Sequence, residues 1–183
     1  MQAYMKSAMP FLGVQKPSRT RLVRPIARTL DDGQAVAAAS ILWDEAMYRE
    51  ERYAALELLR GRPVSGDLAR HLITTGAWWD YVDEVATKLL PADVDVRAWA
   101  VDEDMWIRRA AILSQVGRRS RTDPAMLANV IEPNLDDRRF WITKAIGWAL
   151  RDYARTDPEW VRSFVSAHAL APLSEREAMK HLR

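Results

Sequence analysis

The segment MWIRRAAIL at 105–113 returns as FWITKAIGW at 140–148, so that Met-Trp-Ile-x-Arg-Ala is matched later in the chain by Phe-Trp-Ile-x-Lys-Ala. A looser third copy, YREERYAALELL, occupies 48–59. A spacing of about 35 residues between such copies belongs to two-helix units, which bury their apolar faces only by stacking on one another. Alternation of polar and β-branched residues is nearly absent, and Ala, Leu, Arg and Glu dominate, so every element is expected to be helical.

Helix breaks are expected at Pro10 to Gly13, Lys16-Pro17, Asp31 to Gly33, Gly61 to Gly66, Pro91 to Asp95, Arg121 to Pro124, Pro133-Asn134, Thr156 to Pro158 and Pro172. The segments between them suit paired helices of 8 to 20 residues. The expected fold is all-α, a superhelical solenoid of HEAT-like helical repeats; a plain helical bundle is the alternative that periodicity leaves open. The 183 residues, 49% of them hydrophobic, suffice for one cored domain. Cysteine is absent, which rules out disulfides and thiolate chemistry. No apolar run resembles a signal peptide or a spanning helix, so a soluble, cytoplasmic protein is expected.

A net charge of +2 is a weak pointer to nucleic acid, but its distribution is uneven. Lys16, Arg19, Arg21, Arg24 and Arg28 form one basic stretch, and Arg108, Arg109, Arg118, Arg119 and Arg121 another. A solvated helix face explains such stretches equally well. Eight tryptophans against three phenylalanines is an unusual balance, since indoles serve bases and cations as well as cores.

Placed around a helix, Ile142, Ala145, Ile146, Ala149, Leu150 and Tyr153 share one arc, whereas Lys144, Trp148 and Arg151 fall together outside it. In WWDYVDEVATKLL the apolar arc is Trp78, Val82, Val85, Ala86 and Leu89. Trp79 and Asp83, four apart, are neighbours at its margin. A carboxylate beside an indole at the edge of an apolar surface is partly desolvated and attracts cations; an interhelical salt bridge is the competing explanation. WIRRAAILSQV is apolar around much of its circumference, with Arg109 between Leu113 and Val116. Such an arginine needs an anion, and Asp83, another carboxylate or a phosphate would all serve. The stretch around Phe11 to Pro17 reads as a helix-ending loop that opens a second, basic helix. His71, His168 and His181 lack metal-site spacing, so no metal is expected, nor any cofactor.

YMKSAMPFLGVQKPSR, WWDYVD, WIRRAAIL, KAIGWALRDYARTDPEWV and LAPLSEREAMKHL, in this order, resemble the DNA alkylation repair family of AlkD-type DNA glycosylases. The resemblance implies one HEAT-like repeat domain over 1–183 that holds duplex DNA on a basic concave face. It further implies excision of N3- and N7-alkylated purines, such as 3-methyladenine and 7-methylguanine, in base excision repair. The family's catalytic aspartate matches Asp83, its active-site tryptophans match Trp79 and Trp148, and its active-site arginine matches Arg109. Tyr4, Gln15, Lys144 and Arg151 match or adjoin positions near DNA. In this reading Asp83 stabilises the cationic sugar while Arg109 and Arg151 hold phosphates. Against the family pattern, the helix usually preceding YMK is expected to be missing and the region near 91–97 shortened. The expected partner is double-stranded DNA carrying alkylated purines, bound by a monomer without a membrane or a metal. A non-catalytic DNA-structure-binding member of the same family and a HEAT-type protein-interaction scaffold are the alternatives.

Overall fold

The computed structural model describes residues 2–182, which form twelve α-helices and no strand among the described residues. The chain divides into two compact units, one through Ala69 and one from Arg70 onward. The all-α fold expected from the repeated segments is therefore observed.

The first unit contains α1 (Gln2–Met5), α2 (Lys16–Ala27), α3 (Asp32–Asp44), α4 (Arg49–Leu59) and the first turn of α5 (Gly66–Gly76). Its core is Ala35, Ala39 and Trp43 of α3 against Ala55, Leu56, Leu58 and Leu59 of α4. Asp31 caps α3 in a reciprocal capping box with Gln34, so the chain turns at the break the sequence marks. Helix α2 has Pro17 in its first turn, and none of its residues is buried. The loop ahead of it wraps the start of α4, where the buried Glu50 carboxylate accepts the backbone N–H groups of Leu12, Gly13 and Val14 at 3.0, 2.9 and 3.1 Å. Gly13 turns this loop at φ +85°, a conformation that favours glycine.

The second unit holds α6 (Trp79–Glu84), α7 (Val96–Ala100), α8 (Met105–Leu113), α9 (Pro124–Ile131), α10 (Phe140–Tyr153), α11 (Pro158–Ala167) and α12 (Pro172–Ala178). Side chains of Asp95, Asp104, Asp123 and Asp157 accept backbone N–H groups at the starts of α7, α8, α9 and α11. Such caps satisfy donors that a helix leaves unpaired. Helix α8 is central, packing on α6, α7, α9 and α10. The apolar arc read for 142–153 is buried throughout, as are Val82, Val85, Ala86 and Leu89.

Three local features differ from the sequence reading. WWDYVDEVATKLL is not one uninterrupted helix: Trp78 is the residue before α6, and Val85–Leu89 continues it as a wider π-turn. Breaks also fall at 45–48 and 101–104, where no glycine or proline announces them. Several elements, α7 among them, are shorter than the 8 to 20 residues expected. No helix among the described residues is long and apolar enough to cross a membrane.

Candidate active site

Asp83 and Arg109 meet in the second unit. Arg109 Nε and Nη2 donate to Asp83 Oδ1 and Oδ2, each at 2.8 Å, in a two-pronged pair. The third arm, Nη1, donates to the carbonyl of Trp141. The side chain of Arg109 is 3% exposed and that of Asp83 13%. The pairing follows from local structure: α8 is buried nearly all round, so Arg109 has no path to water and must find its anion inside. Asp83 lies one turn into α6, and the Thr87 hydroxyl donates to its backbone carbonyl at 2.7 Å where the helix widens. Burial pushes the Asp83 carboxyl above its ordinary value, the Arg109 hydrogen bonds and charge pull it back, and Asp80 adds to the rise.

Trp141, which meets Arg109, belongs to a cluster of three indoles. The Trp78 and Trp141 ring centres are 5.6 Å apart, those of Trp106 and Trp141 5.8 Å, and those of Trp78 and Trp106 6.2 Å. The Arg109 guanidinium stands 5.7 Å from the Trp141 ring centre. Trp106 and Trp141 hold the same place in the two repeated segments, and α8 packs directly on α10. Neither was singled out from sequence as a site residue, although their equivalence in the repeat was a usable signal. The Trp78 Nε1 is buried without a hydrogen-bond partner. Trp79, one of the two tryptophans that the resemblance selects, opens α6 and is half-buried. Trp148, the other, is half-buried in the middle of α10.

Lys144 and Arg151 converge elsewhere on α10. Lys144 Nζ donates to Glu177 Oε1 at 2.7 Å, and Arg151 Nη1 donates to Glu177 Oε2. The Lys144 hydrogen bond, aided by the charges of Lys144, Arg151 and Lys180, holds the Glu177 carboxyl below its usual range against its partial burial. Gly147 lets α12 come this close: a Cβ there would stand 2.6 Å from Glu177 Cβ and 2.9 Å from the Ser174 carbonyl. Ser174 Oγ seals the seam by donating to the Thr143 carbonyl at 2.8 Å. Sequence reasoning missed Glu177 altogether.

Tyr4 and Gln15 belong to the first unit, Tyr4 exposed on α1 and Gln15 exposed just before α2. Arg109 was read as a phosphate holder as well as a partner for Asp83. Its burial and its three engaged nitrogens direct it to Asp83 instead. Among the described residues no group of three or more His, Asp or Glu side chains could hold a metal ion.

No curated protein sequence matches the chain. A solved structure from Enterococcus faecalis, described as a predicted DNA alkylation repair enzyme, superposes with a TM-score of 0.87 at 27% identity, covering 100% of this chain and 92% of that one. The family model described as DNA alkylation repair enzyme matches residues 1–182, and on that match the chain belongs to the DNA alkylation repair enzyme family.

Proposed function

We propose that the chain is a DNA glycosylase that removes N3- and N7-alkylated purines from duplex DNA. The observation that carries this reading is Asp83, a carboxylate that is mostly buried and locked by both oxygens to one arginine, which itself stands against the Trp141 indole.

Alkylation at N3 or N7 makes the purine cationic and weakens its bond to C1′. When that bond breaks, its electron pair leaves with the base and the sugar becomes an oxocarbenium ion. Fixed negative charge beside the sugar stabilises this cation without reorganising during the reaction. Asp83 fits the task because Arg109 holds it rigidly and engages both oxygens, a geometry matched to the ionised form. A water then adds to C1′ and gives up a proton, which Asp83 accepts in this reading. Trp79 and Trp148 offer π faces to the sugar and the strand around the lesion. Lys144 and Arg151 meet backbone phosphates, and Tyr4 and Gln15 add strand contacts from the first unit.

The test is incubation with a duplex containing 7-methylguanine, followed by alkaline cleavage at abasic sites. Base release by the native chain is expected. Asp83→Asn should lower it about 10²- to 10³-fold, in line with loss of an electrostatic catalytic group, while duplex affinity stays within about twofold. Undiminished release by Asp83→Asn removes that residue from the mechanism. No release by the native chain, with DNA binding insensitive to salt, favours a protein-interaction scaffold.

A further inference from the structure

The arginines of GRRSR at 117–121 follow α8 and take no part in the chemistry assigned to Asp83. Residues 117–121 are all exposed. Gln115, itself buried, closes the loop behind them: its Nε2 donates to the Asp123 carbonyl at 2.9 Å, and its Oε1 accepts the Asp123 N–H at 2.8 Å. The backbone N–H of Gly117 donates to Asp152 Oδ2 at 2.6 Å, which ties the loop to the last turn of α10. Gly117 and Arg119 take left-handed conformations, at φ +84° and +56°. For a residue with a side chain this is uncommon, and it persists where the surroundings enforce it.

Asp152 follows Arg151 and stands one helical turn after Trp148, so the loop adjoins the end of α10 that carries both residues. Arg155, where the chain leaves α10, is exposed as well. The side chains of Arg118, Arg119, Arg121 and Arg155 make no hydrogen bond or ion pair among the described residues. Arg108, Arg109, Arg139 and Arg151, in the same unit, are each engaged with a carboxylate. Like charges gathered at one edge repel, and an external anion relieves that repulsion.

We propose that this arginine loop is a second contact for duplex DNA, in which Arg118, Arg119, Arg121 and Arg155 meet backbone phosphates beside those assigned to Arg151. The proposal rests on the reading of DNA as the partner, but not on the excision chemistry. Two features favour a polyanion. The loop offers no large apolar side chain, whereas protein interfaces centre on desolvated apolar anchors. Its guanidiniums are exposed rather than drawn into a pocket, so a single small anion meets them one at a time, while a strand presents a row of phosphates whose contributions add. Contacts of this kind set register without reading sequence.

Fluorescence anisotropy of the full chain on an unmodified duplex, across a salt series, tests the proposal. Arg118→Gln/Arg119→Gln/Arg121→Gln should weaken binding at least about tenfold at low salt and flatten the slope of log affinity against log salt by about two to three units. The corresponding triple lysine variant keeps the charge, and its slope should stay within about one unit of native. Melting temperatures should match the native chain, because every substituted side chain is exposed. On duplex containing 7-methylguanine, the glutamine variant should need more DNA for half-maximal base release, with release at saturation unchanged. Native affinity and slope in the glutamine variant overturn the proposal, as does a lysine variant as weak as the glutamine one. Polyglutamate bound as tightly as duplex, and lost equally in the glutamine variant, points to an acidic protein and overturns it too. A native chain that binds no duplex overturns both readings. A flattened slope in a chain that releases no base supports the arginine loop while overturning the glycosylase reading alone.

Discussion

Asp83 and Glu177 are both carboxylates bound by cations from α8 or α10, yet they are built for opposite uses. Asp83 takes both prongs of a single arginine that is 3% exposed and whose third arm is held by the Trp141 carbonyl. Glu177 divides its oxygens between two cations, Lys144 and Arg151, which are 37% and 22% exposed. A buried pair is rigid because neither partner can be satisfied by water once the other is gone. At Glu177 the carboxylate is as covered as Asp83, but its cations are partly solvated, so water or another anion can reach them. The first arrangement suits a charge that must stay in place during chemistry, and the second a pair of cations that change partners when an external anion arrives.

The largest contrast should appear on truncation. Asp83→Ala leaves Arg109 buried without an anion, and a loss of about 3–5 kcal/mol is expected in denaturant unfolding. Glu177→Gln leaves two partly solvated cations, so its cost should stay within about 1 kcal/mol. Similar losses from both variants break the distinction between the sites. Gly147→Ala falls between them: its new Cβ meets Glu177 Cβ and the Ser174 carbonyl closer than van der Waals contact allows. Overpacking of that kind typically costs about 1–3 kcal/mol. Thermal melts should show the loss, and an alanine variant as stable as the native chain means that the α10–α12 seam is loose.

The two sites were unequally legible in the sequence. Asp83 and Arg109 stood out because each sits at a helical position where its neighbours are apolar, and a charge there demands a partner. Glu177 gave no such warning. Its partners are 33 and 26 residues away, and its seven-residue helix is too short to display a polar or apolar face. The starts of α9 and α11, where an Asp cap is followed by a proline, were readable because those signals are local, whereas the Asp104 cap of α8 stands at a break without either glycine or proline. The π-turn at 85–89 was not, since a change in hydrogen-bond register leaves the order of apolar residues intact. The break before Trp78 falls at Ala77, whose φ of +39° is unusual for a residue with a side chain, while Gly76 remains in the helix. The indole cluster was half visible: Trp106 and Trp141 matched in the repeat, but repetition does not say that the matched residues touch.

The pH dependence of stability should separate the carboxylates by sign. Glu177 is held below its unfolded value, so its ionisation contributes stability above about pH 4.5, which is lost as pH falls through the folded value. Asp83 is raised, so its contribution is fully present below about pH 3.8 and is lost as pH rises through the folded value. The difference in melting temperature between the native chain and Glu177→Gln should therefore shrink on acidification. The difference between the native chain and Asp83→Asn should instead shrink as pH rises. Parallel trends in the two variants would falsify the opposed environments described for these groups.

The smallest effect concerns DNA and bears on whether the exchangeable pair is used. With Glu177 in place, Lys144 and Arg151 each surrender part of their charge to an internal carboxylate, and a backbone phosphate must compete with it. Glu177→Gln removes the competitor while keeping the shape of the seam. Duplex affinity measured by fluorescence anisotropy should rise about three- to tenfold at low salt, because one unit of opposing charge has gone from the contact. The gain should fade with added salt, and the slope of log affinity against log salt should steepen by up to about one unit, as for one more counterion released. Asp83→Asn should show neither change, since its charge is spent on a buried arginine. If Glu177→Gln binds duplex with native affinity and slope, Lys144 and Arg151 do not meet phosphates, and their pairing with Glu177 serves only to hold α12 against α10.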